Sequence, residues 1–517
     1  MTKQLDRHYG FRRVQSSLKH FLLGKASTVF ASILVLIILA RELSVAEFAA
    51  LVLLQALVNF VSLLSSFGVS QTALRYVPVL RSRGDNAPMY RIVFWSLPSR
   101  AFIVAGLLLT VFFLQQPLEQ WLDLGIWQSL LPLYLIVGWL RLMIFHVQRL
   151  LESLLWQKAS QYSLAVAALI KLAMVVALAI SGRIGLFEVI VVEIIAEALA
   201  ASIVLTALIV GWRRDADRAR GDTSWPSRNR KRMFRYGVWS YLQTLAGALY
   251  GTAPNRLVVS RFLTVQDLGL FGFISAISDL VRRYLPTGML QGLIRPLFFA
   301  KYEETDDFAK LVAMGDVTFR ISIALLLLPT IFLATAGVPF VDWLTAGKYG
   351  EGTYILVAIF GVLALESYRS QLELLVQSAE KAHLLLIGNL LLSGSLLSAI
   401  PLLPTFNIWA IVIANAVGNI LTIGWVVLAL YREGFRITIN LHLFLRMVLG
   451  ALVALTLGIL ISTTQLPFLV NGLSATAVFC TMLILVSPFS RTEREKFALL
   501  VQGFRRRGHG GTDRDIR

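Results

Sequence analysis

The stretch Ala40-Arg41-Glu42-Leu43-Ser44-Val45-Ala46-Glu47 recurs as Ser260-Arg261-Phe262-Leu263-Thr264-Val265-Gln266-Asp267, at an offset of 220 residues (261 − 41). The same offset continues downstream and pairs Gly68 with Gly288, Gln71 with Gln291, Arg75 with Arg295, Arg149 with Arg369 and Gln157 with Gln377. Leucine and alanine match by chance in such a chain, whereas arginine, glutamine and glycine pairs in one register indicate relatedness. The pattern predicts a duplicated unit.

The composition indicates a membrane protein. Hydrophobic residues make up 57% of the chain and charged residues only 15%. Apolar runs of about 20 residues recur, and each is long enough to cross a hydrocarbon core of about 30 Å. We expect an all-α integral membrane protein with about fourteen transmembrane helices, two of them at residues 236–259 and 267–289.

The charge distribution predicts the topology. The net charge of +18 comes from basic tails and alternate loops, whereas the connections 115–127, 401–407 and 464–470 contain no lysine or arginine. This is the pattern of the positive-inside rule, so both termini are expected in the cytoplasm and nucleic acid is not expected as a partner.

The spans divide the chain into two like-oriented halves, that is, a parallel repeat followed by two further helices. The expected organisation is an N-lobe of helices 1–6 at residues 1–211, a basic cytoplasmic linker at 212–235, a C-lobe of helices 7–12 at 236–431, helices 13–14 at 432–490, and a basic cytoplasmic tail at 491–517.

The second span of each half carries a polar stripe. Its positions are Gln55, Asn59, Ser62 and Ser66 in the first copy and Ser275, Asp279, Arg282 and Pro286 in the second. The spacing places each stripe on one helical face. Such a face at membrane depth either lines an aqueous cavity or hydrogen-bonds to neighbouring helices.

Ionisable residues inside predicted spans are candidate functional residues, because a charge in hydrocarbon is costly. The cations Lys25, Arg141, Lys171 and Arg256 come from four spans and are predicted to bind an anionic substrate in a cationic cavity. The carboxylates Glu193, Glu197, Asp279 and Glu366 are candidates for ion coupling. The alternatives are internal ion pairs, with Glu193 or Glu197 as partner of Lys171, and charges that reach toward the membrane surface.

No cofactor is expected. The chain lacks the GxxxxGK[ST] motif of ATP-binding loops and the HExxH motif of zinc enzymes, and its single Cys480 excludes a cysteine metal cluster.

The chain resembles the bacterial polysaccharide flippases of the multidrug/oligosaccharidyl-lipid/polysaccharide exporter superfamily. The resemblance lies in Gly24 with Ala40–Phe48, in Ser66-Phe67-Gly68-Val69-Ser70-Gln71 with Leu74-Arg75, and in Leu154-Leu155-x-Gln157. Phe48-Ala49 stands where the family often has Tyr-Gly, and Leu268-Gly269 keeps the glycine in the second copy.

The resemblance implies a transporter that moves a polyprenyl-diphosphate-linked oligosaccharide across the bacterial cytoplasmic membrane by alternating access, for O-antigen or exopolysaccharide synthesis. Implied partners are this lipid-linked substrate, membrane lipids, and the polysaccharide polymerase and chain-length machinery. Two alternatives remain: a drug/cation antiporter of the same superfamily, and a polytopic polysaccharide polymerase or ligase.

Overall fold

The fold is a set of long α-helices. The computed structural model describes residues 11–122, 129–154, 156–216, 221–289, 307–379, 381, 383–437, 441–462 and 466–486. The helices up to the second copy are α1 Phe11–Glu42, α2 Val45–Leu64, α3 Val69–Arg83, α4 Asn86–Phe113, α5 Gln115–Leu122, α6 Leu131–Ser153, α7 Gln157–Ile180, α8 Leu186–Ala216, α9 Trp225–Arg228 and α10 Arg230–Ala246. They are followed by α11 Thr252–Phe262, α12 Val265–Tyr284, α13 Pro286–Met289, α14 Phe308–Thr345, α15 Thr353–Ser378, α16 Leu384–Ala399, α17 Leu403–Phe406, α18 Ile408–Arg432, α19 Leu441–Ser462 and α20 Phe468–Val486.

Twelve helices in the described part of the chain are long and apolar enough to cross a membrane. They are α1, α2, α4, α6, α7, α8, α14, α15, α16, α18, α19 and α20. The prediction of an all-α integral membrane protein is confirmed.

The structure corrects two predicted spans. The span expected at 236–259 is not continuous, because α10 ends at Ala246 and α11 begins at Thr252, after Gly251 with a φ of 127°. Pro254 lies in the first turn of α11, where its missing N–H leaves no hydrogen bond unmade. The span expected at 267–289 ends earlier, at Tyr284. Because of its charged residues, this helix is not among the twelve that are apolar enough to cross a membrane.

The helix boundaries follow the repeat. Helices α2 and α12 begin at Val45 and Val265 and end at Leu64 and Tyr284, an offset of 220 at both ends (265 − 45 and 284 − 64). Helices α1 and α11 end at Glu42 and Phe262 with the same offset (262 − 42 = 220). The copies therefore share local structure as well as sequence.

A capping box opens α2 and α12 alike. Ser44 Oγ accepts a hydrogen bond from the Glu47 backbone N–H at 3.2 Å, and the Glu47 side chain accepts one from the Ser44 N–H at 3.0 Å. Thr264 and Asp267 form the same pair of hydrogen bonds at 3.1 Å each. These contacts satisfy backbone donors that the first turn leaves unpaired. We call this the capped end of each helix.

The two copies meet near the capped ends. A Cβ atom placed on Gly272 would lie 2.4 Å from Val52 Cγ2, so α12 approaches α2 closely only because this residue is glycine. Val52 and Gly272 are equivalent in the repeat (272 − 52 = 220). A residue that touches its own repeat equivalent lies on the axis that relates the copies, and this contact therefore marks that axis.

Tyr349 bridges the two copies beside this contact. Its ring stacks on Phe273 of α12 with a centroid distance of 5.2 Å and contacts Phe48 of α2 at 5.7 Å. The neighbouring Lys348 donates hydrogen bonds to the carbonyls of Arg41 and Leu43 at 2.6 and 2.7 Å. These carbonyls lie at the C-terminus of α1, where a cation is favourable.

The helices fall into two compact units. The first comprises Met1–Leu280, Val341–Ile359 and His383–Thr422. Within it, α1 packs along α7, and α8 packs against both α6 and α7.

The second unit comprises Val281–Phe340, Phe360–Ala382 and Ile423–Arg517. Its α19 and α20 pack together, and Ala454, Ala475 and Phe479 form a core cluster with Ile331 of α14.

Two glycines with left-handed backbone conformations provide a test of this packing. Gly68 has a φ of 74° and a Cβ placed there would meet the Gly237 carbonyl oxygen at 2.3 Å, whereas Gly84 has a φ of 78° and open space around it. Gly84→Ala is expected to cost about 1 kcal/mol of backbone strain. Gly68→Ala carries the same strain plus about 1–3 kcal/mol of overpacking. Thermal unfolding in detergent should show the larger drop in Tm for Gly68→Ala; equal drops would contradict the close contact.

Candidate functional site

The polar stripe of α2 is the least buried face of a helix that is otherwise packed. Eleven residues of α2 are buried, from Phe48 to Val61, whereas Asn59 is exposed and Gln55 and Ser62 are partly exposed. Among the described residues, none hydrogen-bonds to the side chain of Gln55 or Asn59. A polar face within an apolar span is unfavourable in lipid, so the aqueous cavity remains the prediction for this stripe.

Contacts within the first unit bound the α2 stripe at both ends. The Val52–Gly272 contact lies on its capped side. On the other side, Tyr241 of α10 donates a hydrogen bond to the Leu64 carbonyl at 2.8 Å and stacks on Phe67 at 5.0 Å. The accessible polar positions therefore lie between two zones of close packing.

The equivalent stripe of α12 differs because its side chains contact other protein groups. Arg256 is 4% exposed; its Nε donates to Ser275 Oγ at 2.8 Å and its Nη2 to the Gly272 carbonyl at 3.4 Å. Its Nη2 also lies 4.0 Å from Asp279 Oδ2, and Thr252 donates to Asp279 Oδ1 at 2.7 Å. In the second copy, helix–helix hydrogen bonding is therefore the role that the structure shows for Ser275 and Asp279.

A four-residue ionic cluster joins α6, α7 and α8. Arg141 donates through Nε to Glu197 at 2.7 Å and through Nη2 to Glu193 at 3.1 Å. Lys171 also pairs with Glu193, whose side chain is only 1% exposed. Two cations thus face two carboxylates, and the cluster is neutral overall.

The structure places three of the four cations beside carboxylates, as in the ion-pair alternative. Arg141 and Lys171 pair with Glu193, and Arg256 lies beside Asp279. Lys25 lies within electrostatic range of Glu152 on α6, which accepts hydrogen bonds from α7. A buried charge is tolerated when paired, which explains the grouping. Substrate binding by these cations remains a prediction.

Within the second unit, the stripe residue Arg282 is also paired. Arg282 Nη2 donates to Glu366 Oε1 at 3.1 Å, and its Nε lies 2.9 Å from Glu366 Oε2. Glu366 is 8% exposed. The coupling candidate Glu366 thus forms an ion pair with Arg282 in which one hydrogen bond, from Nη2, is made.

The sequence analysis missed the buried cation Arg100. It is 3% exposed in the middle of α4 and donates a hydrogen bond to the carbonyl of Ser65 at the end of α2. Two signals were available: it lies inside an apolar span, and at the repeat offset it aligns with Arg320 (320 − 100 = 220).

The ionic cluster predicts a stability effect. Glu193→Gln leaves two cations with Glu197 alone, and breaking a buried pair in this way costs about 3–5 kcal/mol. Thermal unfolding in detergent should show a large drop in Tm for Glu193→Gln. The control Glu42→Gln makes the same substitution at an exposed side chain, and its Tm should change little. Adding Lys171→Met should recover part of the loss. Wild-type stability of the single variant would show that the carboxylate is not needed for the fold.

Solved structures of transporters share this fold. The lipid II flippase MurJ in an inward closed conformation matches at a TM-score of 0.62 and 12% identity, over 89% of this chain and 98% of that one. An inward-facing multidrug resistance MATE family transporter of the MOP superfamily matches at a TM-score of 0.62 and 12% identity, over 76% and 92%. The MATE multidrug transporter DinF-BH, solved in a ligand complex, matches at 0.57 and 15% identity, over 82% and 96%. At these identities the likeness shows the fold alone.

Sequence comparison gives the family. No curated protein matches the chain. A family model described as polysaccharide biosynthesis protein matches residues 20–287, more than half of the 517 residues. The match includes the first copy and the helices of the second copy that carry Arg256, Ser275 and Asp279. The chain is therefore an integral membrane protein with the flippase and multidrug-transporter fold, and it belongs to the polysaccharide biosynthesis protein family.

Proposed function

We propose that the protein is a flippase that moves a polyprenyl-diphosphate-linked oligosaccharide across the bacterial cytoplasmic membrane, for O-antigen or exopolysaccharide synthesis. The family match carries this proposal, because polysaccharide biosynthesis on a lipid carrier requires the glycan to cross the membrane. The fold shared with a lipid II flippase supports it.

The stripe of α2 supplies the start of a path for a polar headgroup. Gln55, Asn59 and Ser62 offer hydrogen-bond donors and acceptors at membrane depth, and the oligosaccharide hydroxyls require such partners once they leave water. The lipid tail stays in the bilayer throughout. Alternating access then consists of opening and closing the packed zones on either side of the stripe.

Ion coupling has one accessible candidate in α12. The Asp279 side chain is 28% exposed and lies at the edge of the Arg256 network. Glu193 is almost fully enclosed by its two cations, and Glu366 is held by Arg282. Among the four candidate carriers, we favour Asp279, with Glu197 at 20% exposure next.

The second candidate function is export of organic cations. One multidrug transporter structure matches this fold with the same TM-score as the lipid II flippase, 0.62. The neutral Arg141–Lys171–Glu193–Glu197 cluster also removes part of the basic excess expected to repel a cation. A membrane polymerase or ligase stays the third alternative.

The proposed location and partners follow from the function. Both termini lie in the cytoplasm, where the basic linker and tail face anionic lipid headgroups. The product is delivered to a polysaccharide polymerase and its chain-length machinery on the outer face.

Transport in proteoliposomes tests the function. The purified chain should move a fluorescent polyprenyl-diphosphate oligosaccharide between leaflets, and Asn59→Leu should slow this movement about fivefold or more through loss of hydrogen bonds of about 1 kcal/mol each. Thr456→Val, which alters an exposed hydroxyl of α19 outside the stripe, serves as the control and should transport normally. Uptake of a fluorescent organic cation such as a rhodamine dye, without movement of the lipid, would reverse the order of the two candidates.

A further inference from the structure

The connection between α14 and α15 lies at the axis of the repeat. We call its residues 346–352 the strap. The strap belongs to the second copy by its position in the chain, and it lies in the first unit together with both capped ends. A Cβ atom placed on Gly352 would lie 2.5 Å from Leu270 Cδ1, so the strap packs closely against α12. The capped ends touch through Val52 and Gly272, an arrangement that we call closed.

Lys348 connects the strap to the first copy. Its Nζ donates hydrogen bonds to the carbonyl of Arg41 at 2.6 Å and to the carbonyl of Leu43 at 2.7 Å. These carbonyls lie at the end of α1, where the last C=O groups have no partner within the helix and a cation is favourable. Arg41 Nη1 in turn lies 3.5 Å from the carbonyl oxygen of Trp343, three residues before the strap. Lys348 thus stabilises the closed arrangement.

Tyr349 carries a buried hydroxyl without a hydrogen-bond partner. Its ring lies between Phe273 of α12, at a centroid distance of 5.2 Å, and Phe48 of α2, at 5.7 Å. The residue is 2% exposed, and within the described part of the chain no group hydrogen-bonds to its hydroxyl oxygen. A buried hydroxyl of this kind costs free energy that a phenylalanine does not. The ring of Tyr349 therefore stabilises the closed arrangement, and its hydroxyl destabilises it.

The strap also stores backbone strain. Ala346 has a φ of 54° and Gly347 a φ of 81°, so a residue with a Cβ atom occupies the left-handed region. Contacts within the connection hold this turn, since the Gly350 N–H donates a hydrogen bond to Asp342 Oδ1 at 3.0 Å. Strain of this kind persists only where surrounding contacts hold it, and it is released when they are lost.

The first copy lacks the lysine and the tyrosine. At the repeat offset, Gln128 and Ser129 stand in place of Lys348 and Tyr349 (348 − 128 = 220). The two residues are therefore a feature of one copy and not of the repeated unit.

We infer that the strap is a latch that holds the capped ends of α2 and α12 together and is poised to release them. Lys348 keeps it closed through the carbonyls of α1. The Tyr349 hydroxyl favours release, because it gains water as a hydrogen-bond partner once the capped ends separate. Two neighbouring residues thus act in opposite directions on one equilibrium. The inference rests on the proposed function, in which the capped ends face the outside of the membrane and separate during transport.

Cysteine accessibility in intact cells that express the full chain tests the latch without a lipid substrate. The reporter is Gln55→Cys in a Cys480→Ser chain, modified by a charged, membrane-impermeant thiol reagent added outside. Lys348→Met should raise the rate of modification about fivefold or more, because two charge-assisted hydrogen bonds are lost. Tyr349→Phe keeps the ring contacts and removes the unpartnered hydroxyl, so it should lower the rate about threefold or more.

Two control variants make the same substitutions outside the strap. Tyr354→Phe alters a tyrosine of α15 that is 62% exposed, and Lys310→Met alters an exposed lysine near the start of α14. Each should leave the rate within about twofold of that of the reporter chain, because surface substitutions change conformational free energies little. Thermal unfolding of each variant in detergent verifies that it is folded.

Opposite shifts in Lys348→Met and Tyr349→Phe support the latch, since a loss of packing alone would raise the rate in both. An unchanged rate in either variant, shifts in the same direction, equal shifts in the controls, or modification that occurs only from the cytoplasmic side overturns it. A chain that shows the opposite shifts but moves no lipid would refute the flippase and leave the latch standing. A chain that moves lipid with unchanged rates would refute the latch alone.

Discussion

The contact between Val52 and Gly272 is the constraint on which the rest of the first unit depends. It joins two equivalent positions of the repeat, and it exists because one of them lacks a side chain. The Gly272 carbonyl also accepts a hydrogen bond from Arg256. The same turn of α12 thus lets α2 approach and anchors the buried arginine, and Gln55 lies within one turn of the contact. The polar stripes of both copies therefore begin at the axis.

The copies share a fold but divide the polar chemistry between them. Arg256 aligns with Leu36 (256 − 36 = 220), so the first copy has an apolar residue at this position, and Asn59 is exposed. Two further arginines are present in both copies, but only the second copy has acids beside them. The acids that pair with Arg320 and Arg369 are replaced by serines in the first copy. The first copy therefore offers the accessible polar groups that a transported headgroup would need.

The sequence alone predicted the positions of the helices better than the partners of the charged side chains. The recurrence of Ser44 with Glu47 and of Thr264 with Asp267 in the sequence accounts for the two matching capping boxes, because a cap depends on residues three positions apart. The partners of Lys171 were left open, since Glu193 lies on another helix and sequence does not say which faces meet. Apolar run length alone drew the span at 236–259 as continuous, although Gly251 and Pro254, which flank the start of α11, are visible in the sequence. Arg100 was visible only through its match with Arg320.

The most direct test of this account is to cross-link α2 to α12 where the two copies meet. Val52→Cys removes the methyl groups that a Cβ at Gly272 would meet and leaves the Val52 Cβ 3.0 Å from that position. A disulfide needs about 3.5 Å or more between the two Cβ atoms, so Val52→Cys with Gly272→Cys, in a Cys480→Ser chain, should form one on oxidation after the helices move apart by about 0.5 Å. Movement of a fluorescent polyprenyl-diphosphate oligosaccharide in proteoliposomes should stop on oxidation and recover on reduction, because alternating access requires α2 and α12 to separate at this point. Full transport by the cross-linked protein would contradict the account.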